Sequence, residues 1–542
     1  MKKILSLMLA LGMLFSFAAF AEELTGEADG FGGPVTVTIT KDGDQITDVK
    51  IVGDSETAGI GTNAIDELPQ LIIDANGTDV DGVAGATVTS EAILEAANIA
   101  LGLAEAKAPE EKTVEEVSGP AIGFAMMPNA RVSKPRKEGD PTTYSINKVL
   151  LYVVFDADGK ILYNRADTLE VSSPNSKHGS KLTGWPGQKG FLDAEGKEVE
   201  HSEEAFLEEI PNWPTKRELG DGYKMTSGTW VQEMDGFQAV FNGKTVEEVE
   251  EWFNKYTSDL NGRPLTDKMD KEEDVKKYSA LSDEEKAMLA DVTSSATMSI
   301  KDPHGDIIGA YRKAYENRRP INKLENASIG FSVNTSGRVG PGKDDKGTQV
   351  YSINEVYAAV MFDKDGKVLD VYVDQLEVAS PNYDGASMPH FSGYPGSEPY
   401  NSDLDHDGKV DESAPEITAE SFLKEVAEWA TKRERGDGYR MGTGTWSSQM
   451  DAFEKFFTGK TVEEIEEWFN KYTAANGRPL KSEQKNEKDQ AKYDALSDEE
   501  KAMLADVTSS ATMSLKDSHG DILGALKEAY ENREDIQLTV GE

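Results

Sequence analysis

The 542-residue sequence contains no cysteine. That excludes disulfides, thiolate metal sites, cysteine-ligated iron–sulfur clusters, thioether-attached haem and a lipid-modified N-terminal cysteine. Any redox chemistry therefore needs a group other than sulfur. Histidine is scarce, at 6 residues, and outside the loops described below none recurs beside a repeated serine in support of a Ser–His–Asp arrangement. Positive charge is in deficit: 57 Lys+Arg stand against 99 Asp+Glu, a formal net charge of −42. Such a chain is repelled by nucleic acid and by anionic lipid, so no nucleic-acid partner is expected. No Rossmann or P-loop fingerprint is present. Only one long apolar run occurs, Ile4 to Phe20, behind Lys2 and Lys3 and running into Ala19-Phe20-Ala21. It reads as an export signal over residues 1–21 with an A-x-A cleavage site, a retained anchor being the alternative. The expectation is a protein that is soluble after cleavage and lies outside the cytoplasm, secreted or in the cell envelope.

What is present is dominated by self-similarity. "YSIN" at Tyr144 returns at Tyr351, "LEVSSPN" at Leu169 returns as "LEVASPN" at Leu376, and "TKRELGDGYKM" at Thr215 as "TKRERGDGYRM" at Thr431. "LSDEEKAMLADVTSSATMS" at Leu281 recurs at Leu496. The chain thus reads as a duplication of units of ordinary domain size, 120–322 and 323–542, the second with an insertion near 395–415. A smaller unit, 22–106, precedes them across a charged, proline-containing linker, 107–119.

Each unit alternates short strands and helical stretches. "PVTVTITKDGDQITDVKIVG" is a hairpin about Lys41-Asp-Gly-Asp, and "FDADGKIL" and "FDKDGKVL" repeat the Asp-Gly turn. "SEAILEAANIALGLAEA" reads as a helix capped by Ser90, "SDEE" at Ser282 and Ser497 as capping boxes, and "DIIGAYRKAYENR" and "DILGALKEAYENR" as closing helices. The fold class is α+β, each unit a small antiparallel sheet with flanking helices.

A hydroxyl behind small residues occurs once per unit, at constant spacing from an aspartate. Asp81 leads to Gly85-Ala86-Thr87, Asp291 to Ser295-Ala296-Thr297, and Asp506 to Ser510-Ala511-Thr512. Small neighbours admit a bulky group to the backbone, and in the first unit a helix N-terminus suited to a phosphate follows. A helix-capping loop that merely recurs by duplication explains the same residues.

The pattern resembles the flavinylation motif of bacterial FMN-binding domains, as in sodium-pumping NADH:quinone reductase and Rnf-type complexes. Residues 26–106 resemble the short form of that domain throughout ("GEADGFGGPVTVTI", "ETAGIGT", "DGVAGATVTS"), although Ala84 departs from the usual Ser/Thr. The two larger units resemble PplA-type flavinylated surface lipoproteins of extracellular electron transfer over "SATMSIKDPHGDIIGA" and "SATMSLKDSHGDILGA", without the lipid-bearing cysteine. The resemblance implies three tandem FMN-binding domains. FMN would be phosphoester-linked to Thr87, Thr297 and Thr512 by a flavin transferase that recognises Asp81, Asp291 and Asp506. It further implies a membrane redox flavoprotein or quinone-linked donor, an extracellular acceptor, and an electron carrier rather than an enzyme with its own substrate. A non-redox surface-binding module and a terminal flavin reductase are the alternatives.

Three further constellations stand out. His304 and His519, in repeated "HGDI" loops, are candidates to touch flavin or to cap a helix. Asp403, Asp405, Asp407 and Asp411 space like a calcium loop with Gly408 at position 6, but Ala414 stands where a bidentate glutamate is expected, so an acidic solvated loop is the alternative to calcium. The paired tryptophans 213/429, 230/446 and 252/468 read as core, with flavin stacking by one pair as the other option.

Overall fold

The computed structural model describes residues 22–29, 34–43, 45–53, 61–83, 86–103, 117, 119–133, 135, 141–199, 201–225, 227–321, 327–344, 346–383, 388–401, 414–441 and 443–536. The export segment, most of the linker, Gly85 and the calcium-like loop at Asp403, Asp405, Asp407 and Asp411 lie outside them. The chain divides into two compact units, one ending at Thr113 and the other beginning at Val114. Helices and antiparallel sheets mix in both, an α+β architecture.

The first unit is a three-stranded meander, β1 (Glu22–Asp29), β2 (Pro34–Asp42) and β3 (Gln45–Val52), with α1 (Gly61–Ala75) and α2 (Thr87–Ala100). Val35, Val37 and Ile39 alternate inward on β2, as a two-residue period demands of a half-buried strand. They meet Leu68 and Ile72 of α1 and Ile93, Ala96 and Ala97 of α2. Ser90 is not the helix cap. The helix opens one turn earlier, at Thr87, and the buried Ser90 Oγ instead accepts the Val83 N–H at 3.0 Å. The tight chain reversal before the helix supplies a local amide that the hydroxyl satisfies better from inside the first turn.

In the second unit, β4 (Ala121–Ser133), β5 (Thr143–Phe155) and β6 (Ile161–Ser172) form one meander. Helices α3 (Glu203–Glu209), α4 (Lys216–Leu219), α5 (Trp230–Phe241), α6 (Val246–Tyr256), α7 (Glu272–Ser279), α8 (Asp283–Val292) and α9 (Ile307–Glu316) follow. The order then recurs: β7 (Ala327–Lys343), β8 (Gln349–Phe362) and β9 (Val368–Ala379), then α10 (Ala419–Ala427), α11 (Trp446–Phe457), α12 (Val462–Tyr472), α13 (Glu487–Asp494), α14 (Asp498–Ser510) and α15 (Ile522–Glu531). The β5–β6 and β8–β9 turns are each held by an aspartate, Asp156 or Asp363, whose Oδ1 accepts two backbone amides ahead of it. Ser282 and Ser497 form capping boxes with Glu285 and Glu500.

One close approach recurs three times. Gly26 on β1, Gly123 on β4 and Gly330 on β7 lie where a Cβ would fall 2.1, 2.0 and 1.6 Å from the carbonyl oxygens of Ala96, Ala314 and Ala529. Those alanines sit on α2, α9 and α15, so in each meander one helix presses its backbone on the first strand.

The two meanders of the second unit share a core. Phe124 on β4 meets Phe331, Tyr357 and Tyr372 of the other meander at centroid separations of 6.2, 5.8 and 5.2 Å. Inside this core Lys148 pairs with Glu355, with side chains 2% and 1% exposed. The two residues hold equivalent places in "YSINK" and "YSINE". The ammonium lies 5.8 Å from the Trp213 ring centre and 5.9 Å from that of Trp429, and Tyr357 Oη donates to Glu355 at 2.6 Å. Each half also has its own core between sheet and helices, in which Trp230 and Trp252, or Trp446 and Trp468, are buried.

Candidate functional site

Asp291 and Ser295 are exposed, Ala296 is buried, and Thr297 is half-buried just past the end of α8. The Thr297 amide donates to Glu233 Oε2 at 2.8 Å, and its hydroxyl donates to the same oxygen at 3.0 Å. Glu233, on α5, is itself only 1% exposed. Ser227 Oγ lies 3.0 Å from the Thr297 hydroxyl, and Arg263 donates to the Thr297 carbonyl at 3.3 Å. The chain approaches α5 this closely because Gly236 faces Ser295 and Ala296: a Cβ there would sit 3.0 Å from Ser295 Oγ.

The second copy repeats the placement. Asp506 and Ser510 are exposed, Ala511 is buried and Thr512 half-buried. Gln449 Oε1, on α11, accepts the Thr512 amide at 2.9 Å, its hydroxyl at 3.2 Å and the Met513 amide at 3.0 Å. Thr443 Oγ1 lies 2.8 Å from the Thr512 hydroxyl. Glutamate in one copy is thus amide in the other. The buried Gln449 Nε2 has no acceptor among the described residues.

A short reversal connects each threonine to a cluster of charge. In the first copy it runs from Tyr223 to Trp230, whose N–H donates to the Tyr223 carbonyl at 3.1 Å. Ser227 of this reversal meets Thr297, while Tyr223 Oη donates to Glu170 at 3.4 Å. Glu170 also accepts Arg131 at 3.1 Å and Lys216 at 3.2 Å. Burial alone raises its carboxyl pKa, but Lys216 and Arg131 outweigh burial and hold it below the usual range. Arg131 Nη1 approaches His304 Nε2 at 2.5 Å, and His304 Nδ1 approaches Asp302 at 3.1 Å. Since arginine can only donate, the neutral ring carries its proton on Nδ1, toward Asp302.

In the second copy Glu377 takes the place of Glu170. It pairs with Lys432 at 2.8 Å and Arg338 at 3.2 Å, and accepts Tyr439 Oη at 3.2 Å. Its carboxyl, which burial would raise, is brought to about 2 by Lys432, His519 and Arg338. His519 Nδ1 lies 2.9 Å from Asp517. In a chain of net charge −42, Thr297 and Thr512 therefore each have a reversal leading from the hydroxyl to a group of cations around one carboxylate.

In the first unit Asp81 is exposed, and the buried Ala86 is the N-cap of α2, so Thr87 is the first helical residue. The tryptophan pairs 213/429, 230/446 and 252/468 are all buried in protein cores. Sequence reasoning did not single out Glu233, Gln449, Ser227, Thr443 or the Arg–Glu–Lys groups. The repeated "GTW" and "TKRE" blocks carried part of that signal. Among the described residues no cluster of His, Asp and Glu is arranged to hold a metal ion.

The surroundings of the Thr297 and Thr512 hydroxyls fit an FMN phosphate. Both threonines are half-buried, the orphaned Gln449 amide can donate to a phosphate oxygen, and the cation groups suit an anionic ligand.

Comparison with known proteins gives partial matches. The chain is 33% identical over 198 residues to a chlorophenol reductase of Desulfitobacterium hafniense, covering 34% of this chain and 53% of that protein. It is 27% identical over 263 residues to an NADH:acrylate oxidoreductase of Vibrio harveyi, covering 45% and 24% of the two chains. To a urocanate reductase of Eggerthella lenta it is 38% identical over 96 residues, covering 18% and 16%. The chain thus spans about half of the first of these relatives and a quarter or less of the others. The family model for the FMN-binding domain matches residues 30–102, which hold strands β2 and β3 and both helices of the first unit. Residues 30–102 are an FMN-binding domain, and the chain is a flavoprotein whose cofactor is FMN.

Proposed function

We propose that the chain is an exported electron carrier bearing three FMN groups, one each on Thr87, Thr297 and Thr512, attached through their phosphates by a flavin transferase. Bound FMN supplies transfer of one or two electrons. The observation that carries the reading is the double hold on the two described hydroxyls. Glu233 or Gln449 fixes both amide and hydroxyl of the threonine, leaving its outer side open for attachment. Glu233 can also take up the hydroxyl proton, which Gln449 cannot, so at Thr512 a base has to come from the transferase. Arg131, Lys216 and His304, with their counterparts Arg338, Lys432 and His519, bind and orient anionic parts of the cofactor.

Asp81, Asp291 and Asp506 are exposed and serve as recognition points for the transferase. Residues 1–21 direct export. A membrane flavoprotein or quinone-linked enzyme donates electrons, and an extracellular acceptor receives them. The acidic surface favours a basic partner patch and salt-sensitive encounter. The reductases that match extend well beyond the matched stretch, in keeping with a carrier module whose acceptor chemistry lies elsewhere.

Co-expression with a flavin transferase tests the reading. The denatured band fluoresces as flavin if attachment is covalent, and Thr87→Ala, Thr297→Ala and Thr512→Ala each remove one share of that fluorescence. A band that stays dark in the parent chain contradicts it.

A further inference from the structure

A cavity of about 540 Å³ opens between the segment after β9 and helix α10, lined by Met388, His390, Lys424, Glu425, Trp429 and Arg435 among others. Its frame is rigid. Glu425 accepts the Ser392 amide at 2.9 Å and the Ser392 hydroxyl at 2.7 Å, and Trp429 Nε1 donates to the His390 carbonyl at 2.8 Å. Arg435 and His390 line the cavity, and among the described residues their buried Nη2 and Nε2 atoms have no hydrogen-bond partner. A buried donor without an acceptor is destabilising, and a guanidinium more so, unless something else fills the place.

The first copy holds the same frame without these groups. Thr183 donates from amide and hydroxyl to Glu209, and Trp213 Nε1 donates to the Lys181 carbonyl. There the places of His390, Lys424 and Arg435 are taken by Lys181, Glu208 and Leu219. The frame is common to both copies, and the donors are added in one. Arg435 also lies 5.3 Å from the centre of the Tyr439 ring, whose hydroxyl reaches Glu377, so the cavity adjoins the cation group of the second copy.

We propose that this cavity binds a small organic carboxylate. Arg435 and His390 donate to its two oxygens, Lys424 adds a cation at the rim, and Trp429 and Met388 face its apolar part. A dianionic phosphate is disfavoured, because Glu425 and Glu428 line the same wall. The volume lies within the range of small-molecule sites. The inference does not depend on flavin attachment.

Isothermal titration of the full chain with benzoate tests it, with benzamide and inorganic phosphate as comparisons. Saturable benzoate binding at one site is expected, weakened at least tenfold by Arg435→Leu, the residue of the first copy, and by His390→Ala. Thermal melts show whether each variant is folded, and either folded variant suffices. No benzoate binding, equal binding by a folded variant, or preference for benzamide or phosphate overturns the proposal.

Discussion

Glu377 shows how one buried side chain ties stability to pH. Its carboxyl, which burial raises, is brought to about 2 by Lys432, His519 and Arg338, below the usual value of 4.5. A carboxyl with a depressed folded pKa contributes stability that is present above the unfolded pKa and lost as pH falls toward the folded one. The contribution is about 3 kcal/mol, fully present at pH 7 and lost between about pH 5 and 2. Denaturant melts across that range should show the loss, and Glu377→Gln should melt with a shallower acid dependence. At the threonines, Gln449 already demonstrates that an amide can hold the acceptor hydroxyl. Glu233→Gln should therefore leave most of the flavin yield at Thr297, whereas Glu233→Ala should lower it several-fold, as read by peptide mass spectrometry. The contacts of Glu233 and Gln449 with the threonines were not legible in the sequence. Glu233 precedes Thr297 by 64 residues, and no local periodicity encodes a contact of that span. The motif threonines stood out because their small-residue surroundings are a local pattern.

Helices and strands were legible wherever their signals are local. Capping boxes at Ser282 and Ser497 and the Asp-Gly turns of the hairpins appear where the pattern predicts them. The helix α2 was legible but its start was not, because Ser90 has a nearby amide, Val83 N–H, that outcompetes the capping role. Strand β1 gave no clear alternation, and its place depends on pairing with β2 from Glu22↔Lys41 to Asp29↔Pro34. The strand–helix approach at Gly123 and Gly330 yields a sharp expectation. A methyl group there would meet backbone, which cannot rotate away, so α9 or α15 has to move. Gly330→Ala should destabilise by about 3 kcal/mol, near the upper end for overpacking, with Gly123→Ala close behind, as measured by urea unfolding.

Across the whole chain, the copies of the second unit are joined through a core that sequence comparison alone could not foresee. Self-similarity says that two segments resemble each other, not that their sheets face. Lys148 and Glu355 mark the joint. They occupy equivalent positions with opposite charge, so two identical copies would set lysine against lysine or glutamate against glutamate. Lys148→Met alone should destabilise by about 3–5 kcal/mol by leaving Glu355 buried and unpaired. The double exchange Lys148→Glu with Glu355→Lys should recover most of that loss in urea melts. Central to the proposed function is flavin bonded to the three motif threonines. Intact mass of the denatured chain, produced with a flavin transferase, measures this most directly. The prediction is three added FMN phosphoester masses, with one lost in each of Thr87→Ala, Thr297→Ala and Thr512→Ala; an unshifted mass in the parent chain would contradict it.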